Sequence, residues 1–143
     1  MSRALRLIAV LVAAHLAGCA ARVDPSRIET SQEDFDNGMQ AFAVDDFEAV
    51  REAFTKVISA GGLTPDAIVE AYLLRAEACI RLNDLETARN DLQAVEQAAP
   101  DLARWHALVG QLELAAGNLD AGKAAYGEAR KIDPKLPLPE QLR

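Results

Sequence analysis

Histidine and cysteine carry most of the reactive chemistry open to a chain of this composition, and it holds two of each. His106 directly follows Trp105 in an apolar stretch. A catalytic base needs a nucleophile or a metal as its partner, and nothing in the spacing around His106 supplies one. Two histidines and two widely separated cysteines make neither a zinc ligand set nor a disulfide framework. There is no glycine-rich phosphate loop after a strand, no HExxH pair and no calcium-loop pattern. Gly61-Gly62 reads as a turn. Cys79 falls on an apolar helical face, where a buried, reduced thiol is expected; an intermolecular disulfide is the rival reading in an oxidising compartment. These types and spacings argue against an enzyme, a metal site and a bound cofactor. Cys19 is a different case.

Cys19 closes a targeting segment. Arg3 and Arg6 form its basic start, Leu7 to Ala14 its apolar run, and Leu16-Ala17-Gly18-Cys19 its end. The run is too short to span a bilayer core of about 30 Å. The ending resembles the lipobox of bacterial lipoprotein signal peptides. That resemblance implies cleavage of residues 1–18, a thioether lipid on Cys19, and acylation (palmitate or a similar chain) of the new N-terminus. The rival reading is an ordinary secretory signal cut near Ala21. Ala20, rather than aspartate, follows the cysteine, and by the lipoprotein sorting pattern this points to the outer membrane, facing the periplasm. The inner membrane and the cell surface are the other locations. Two or more acyl chains hold a protein stably where one does so only marginally. Residues 19–31 are then a lipidated tether.

The charge balance narrows the partners further. Fifteen basic residues stand against twenty-two acidic ones, a formal −7. Loss of Arg3 and Arg6 with the signal takes it to −9. An acidic chain lacks the lysine and arginine surplus that drives nucleic-acid binding. Residues 29–52 hold eight acids against Arg51 alone, while Arg130, Lys131, Lys135 and Arg143 gather at the other end. Solvated faces explain this; so does an acidic end that orients a basic partner or holds the domain off anionic lipid heads.

The elements that position these residues repeat. Asp46-Phe47-Glu48-Ala49-Val50, Asp84-Leu85-Glu86-Thr87-Ala88 and Asn118-Leu119-Asp120-Ala121-Gly122 align along the chain. After each, large or small apolar residues recur in steps of three, four and three: Phe47, Val50, Phe54, Val57; Leu85, Ala88, Leu92, Val95; Leu119, Gly122, Tyr126, Ala129. Such steps place them on one helical face. Asp46, Asp84 and Asn118 are suited to cap these helices, and Thr64-Pro65 to open another. Upstream of each lies a further apolar helix with a small residue at one register: Gly38, Ala76 and Gly110. Six helices are expected, near 32–44, 47–60, 65–82, 85–98, 102–116 and 119–132. Gly122, inside the last, is expected to cost about 0.5–1 kcal/mol against alanine if a methyl has room.

The pattern resembles the tetratricopeptide (TPR) repeat, a 34-residue antiparallel helix pair. The small residues Gly38, Ala76 and Gly110, the large ones Phe54, Leu92 and Tyr126, the small Ala129, and Pro100 and Pro134 match its register. Val57 and Val95 are bulkier than the family's residue, and repeat 1 departs with Gly62 for proline and four extra residues. The resemblance implies an all-α, right-handed TPR solenoid of three antiparallel helix pairs over 32–134 (32–64, 65–100, 101–134), followed by a tail at 135–143. Leu136, Leu138 and Leu142 are available to cover its open edge.

What the resemblance implies for function is a membrane-anchored periplasmic scaffold that binds a protein or peptide, in assembly or localisation of an envelope complex such as a pilus, secretin or secretion system. The alternative is a small-ligand-binding accessory protein of an envelope transporter. TPR proteins bind along a groove lined by the first helix of each repeat. Transfer of that register gives Phe35, Met39, Phe42, Leu73, Ile80 and Leu114, rimmed by Glu77, Arg81, Arg104 and Gln111. Apolar residues at such exposed positions form a patch that favours being covered. Residues 20–31, or a second copy of the chain, are the rival occupants.

Overall fold

A computed structural model describes residues 25–99 and 102–143. The signal segment, Cys19 and Pro100 lie outside them. Six α-helices follow in chain order: α1 (Pro25–Ala43), α2 (Phe47–Ala60), α3 (Pro65–Arg81), α4 (Leu85–Val95), α5 (Leu102–Ala115) and α6 (Leu119–Ile132), with a short 3-10 turn at Glu140–Leu142. The described residues contain no strand, and the fold is all-α. No described helix is long and apolar enough to cross a membrane. Each helix packs against the next, and α3 also packs directly on α5. The helices therefore form three hairpins, α1/α2, α3/α4 and α5/α6, stacked through α2 on α3 and α4 on α5.

One turn recurs inside all three hairpins. Asp45, Asn83 and Gly117 take left-handed backbone angles, with φ of 58°, 61° and 83°. After each, an N–H reaches back five residues to the preceding helix: Asp46 to Ala41, Asp84 to Cys79 and Asn118 to Glu113. These bonds satisfy carbonyls that the helix end would otherwise leave open. Aspartate, asparagine and glycine are the residues that tolerate such angles best. The next helix begins at once. Asp46 and Asp84 accept from the backbone N–H of Ala49 and Thr87, as their types suggest, and Thr64 accepts from Ala67. Asn118 does not cap. Its amide donates to Glu113 at 2.7 Å, and with Arg89 it holds that carboxyl below its ordinary range.

Within each hairpin the small register faces the large one. A Cβ on Gly38 would sit 2.8 Å from the Phe54 ring, and one on Gly110 would sit 2.5 Å from the Tyr126 ring. Ala76 and Leu92 share the central buried cluster with Leu73, Cys79, Leu108 and Leu112. Helix pairs thus approach closely where one side chain is missing and a large one fills the gap. Gly122 belongs to the same device rather than marking a weak helix. A Cβ there would meet Leu114 at 2.7 Å and the carbonyl of Gly110 at 3.2 Å, so the methyl has no room. Cys79 is fully buried in this core, and burial pushes its thiol up to about 11. It stays protonated and unreactive.

Helix α1 starts at Pro25, well before the expected residue 32, so part of the expected tether is helical. Proline fits a first helical turn, where its missing N–H is not needed. The added turns pack on the extra residues of repeat 1. Arg27 donates to the Ala60 carbonyl at 3.2 Å, and a Cβ on Gly62 would sit 2.9 Å from both the Arg27 carbonyl and Ser31 Oγ. Ser31 is fully buried there, and its hydroxyl has no hydrogen-bond partner among the described residues. The insertion and the longer helix are one structural unit. At the other hairpin junction α4 stops at Val95 rather than near 98. There the Trp105 indole donates to the Leu92 carbonyl at 2.8 Å, one of the last carbonyls of α4.

Candidate partner-binding groove

The first helices of the second and third hairpins build one site together. Ile80 and Arg81 from the end of α3 meet Gln111, Leu114 and Ala115 from the end of α5 around a depression of about 480 Å³. Tyr126 of α6 forms part of its wall, and Pro137, Leu138, Pro139 and Gln141 form the opposite side. Direct packing of α3 on α5 brings the first five together. Tyr126 is 4% exposed, filling the space left by Gly110, and Gln111 lies close to its phenol. Burial holds the Tyr126 phenol above its ordinary range, so it stays neutral.

The polar rim is paired across the two hairpins. Arg104 binds Glu70 at 2.6 Å and lies 3.8 Å from Glu77. These side chains are partly exposed, so the contacts fix orientation more than they add stability. Arg81 is exposed and lies 5.4 Å above the ring of Phe47. It links the depression to the first hairpin through a cation–π contact.

The remaining register positions behave otherwise. Leu73, expected in the groove, is 1% exposed and belongs to the central core. Ile80 is also largely buried and offers only an edge to the depression. Phe35 packs edge-to-face on Phe54, with ring centres 5.4 Å apart, and Phe42 on Phe47 at 6.3 Å. Both side chains are half-buried against a cluster shared by α2 and α3. Met39 is exposed. The groove is therefore assembled by α3 and α5, and α1 does not extend it. The cause is local: α1 has no extended contact with α3 to match the α3–α5 one, and its aromatic rings pair with Phe54 and Phe47 of α2.

No family model, curated protein or solved structure matches the chain. The depression offers a polar, hydrogen-bonding floor in Gln111 and Tyr126, a cation in Arg81, and apolar walls in Leu114, Ala115 and Ile80. Such groups can bind and orient a ligand, and they do not form a nucleophile–base pair. His106 stands elsewhere, its ring stacked edge-on against Trp105 at 5.0 Å. Among the described residues no group of three histidine, cysteine or acidic side chains is placed to hold a metal. Tyr126 and the C-terminal segment were not legible as site residues. Tyr126 reads from its spacing as a core residue, and residues 135–143 carry no helical period.

Proposed function

We propose that the chain is a lipid-anchored scaffold of the bacterial envelope, a right-handed solenoid of three TPR-like helix pairs that holds a protein segment in the groove between α3 and α5. The observation that carries this reading is the convergence of Ile80 and Arg81 with Leu114 and Ala115, their equivalents in the next repeat, and with Gln111 around one depression. The small-against-large packing of Gly38 on Phe54 and Gly110 on Tyr126 supports the TPR-like architecture. Cys19 carries the lipid, residues 20–24 form the link to α1, and Ala20 favours the periplasmic face of the outer membrane. The task of such a domain is to assemble or localise an envelope complex.

Site-specific photo-crosslinking in cells tests the groove. A photoreactive residue at Ala115, exposed at the rim, is expected to give a discrete protein adduct, while one at Lys56 on α2 gives none. Adducts of equal pattern at both positions, or none at Ala115, defeat the reading. The anchor is tested separately. Cys19→Ser is expected to move the protein from the membrane to the soluble periplasmic fraction and to lower its mass by the lipid. Unchanged fractionation and mass remove the anchor and leave the groove untouched.

A further inference from the structure

Each repeat offers the next the same row of apolar side chains. In repeat 1, Phe35, Phe42, Phe54 and Val57 share one cluster with Leu74 and Ala78 of α3. One repeat on, the equivalent Leu73, Ile80, Leu92 and Val95 share the central cluster with Leu108 and Leu112 of α5. The same row in repeat 3 is Ala107, Leu114, Tyr126 and Ala129. It meets Leu136, Leu138 and Leu142. A segment outside the helical repeat thus takes the packing position that a fourth first helix would hold. Polar contacts pin it there. Arg130 of α6 donates to the Pro134 carbonyl at 3.3 Å, and Arg143 to the Leu138 carbonyl at 3.0 Å. Pro134, Pro137 and Pro139 limit the freedom of the unfolded segment, so fixing its shape costs less.

The position has a second consequence. The first helices line the depression in turn, with Ile80 and Arg81 from α3, then Gln111, Leu114 and Ala115 from α5. Pro137, Pro139 and Gln141 continue that lining, and the side chains of Pro137 and Gln141 are exposed. The three leucines therefore do the packing, while their neighbours face the site. We propose that residues 137–141 are the groove's third lining element, in place of a further first helix, and that Gln141 contacts the bound protein segment directly. This rests on the reading that the groove binds protein, and adds a contact to it. Gln111 comes from α5 and Gln141 from the C-terminal segment, and each amide both donates and accepts. Between them they suit the backbone of an extended segment, while Ile80, Leu114 and Leu138 receive an apolar side chain.

The test places a photoreactive residue at Gln141 of the full, lipidated chain in cells, beside the one at Ala115. Gln141 is expected to give an adduct of the same mass as Ala115. Lys135, in the same segment but off the lining, is expected to give none. In the Ala115 probe, Gln141→Ala is expected to lower the adduct yield about fivefold, the scale of one hydrogen bond, with the melting temperature unchanged. Leu138→Ser reads the support separately by hydrogen exchange. Exchange should quicken in α5 and α6 and stay unchanged in α1 and α2, because a repeat array loosens locally. An adduct at Ala115 with none, or one of different mass, at Gln141 overturns the proposal and leaves the groove standing. An equal adduct at Lys135, an unchanged yield in Gln141→Ala, or unchanged exchange in α6 after Leu138→Ser overturns it as well. No adduct at Ala115 removes the groove reading itself, and this proposal with it.

Discussion

Arg75→Met is expected to destabilise the protein by about 3–5 kcal/mol, the range for breaking a buried ion pair from one side. Arg75 of α3 grips Asp91 of α4 with two bonds, Nε to Oδ2 at 2.8 Å and Nη2 to Oδ1 at 2.6 Å, and a third bond reaches Thr55 of α2 at 3.1 Å. Its guanidinium also lies 5.7 Å from the centre of the Tyr72 ring. One side chain thereby ties three helices of two hairpins. The two partners are not equivalent, since the arginine side chain is 14% exposed and the aspartate side chain only 3%. Removal of the arginine leaves a carboxylate without its cation in a nearly closed site. Asp91→Asn leaves an arginine that still reaches solvent and Thr55, and about 2 kcal/mol is expected, the scale of one charged hydrogen bond. Arg75→Met with Asp91→Leu should recover to within about 1 kcal/mol of wild type, because the desolvation penalty disappears with the charges. Urea unfolding of the four proteins measures this. An Arg75→Met loss smaller than the Asp91→Asn loss would refute the asymmetry.

This pair shows where sequence reading stops. Arg75 and Asp91 stand sixteen residues apart on different helices, a separation with no periodic meaning, so nothing along the chain marks them as partners. The contacts that recur with the helical period were legible instead. Gly38, Ala76 and Gly110 against Phe54, Leu92 and Tyr126 follow from spacing, and so do the caps at Asp46, Asp84 and Thr64. The left-handed turn residues Asp45, Asn83 and Gly117 fall at one register of the repeat, but their types are too common in loops to mark that turn. The groove divided along similar lines. Ile80, Arg81, Gln111 and Leu114 come together because α3 and α5 pack as neighbouring repeats do. Leu73 did not stay at the surface, since the same packing covers it. Phe35 and Phe42 pair with Phe54 and Phe47 inside their own hairpin. The extra turns of α1 were hidden by their polar composition, which reads as a tether until Gly62 and Ser31 are seen in contact with them.

Gly110→Ala is expected to destabilise by about 1–3 kcal/mol, and more if the hairpin cannot spread, as overpacking of a tight crossing does. Helix propensity alone favours the alanine by about 1 kcal/mol, so any loss measures the crossing itself. The added methyl would lie 2.5 Å and 2.8 Å from Cδ2 and Cε2 of Tyr126 and 3.3 Å from the carbonyl of Gly122. The ring is rigid and buried, so it has little room to turn aside. Gly122→Ala meets the Gly110 carbonyl at 3.2 Å and Leu114 at 2.7 Å, the latter a half-buried aliphatic chain rather than a buried ring. Its loss should therefore be the smaller of the two, although it too reverses the gain that propensity alone promises. The second hairpin supplies the compensating change, since it joins Ala76 with Leu92 in one buried cluster. Gly110→Ala combined with Tyr126→Leu copies that arrangement into the third hairpin. The double variant should be more stable than the sum of its single changes by about 1 kcal/mol or more, the coupling expected of residues in direct contact. Additive behaviour, or a rise in melting temperature for Gly110→Ala alone, would mean that the two helices do not meet at this glycine, and the small-against-large register would lose its physical basis.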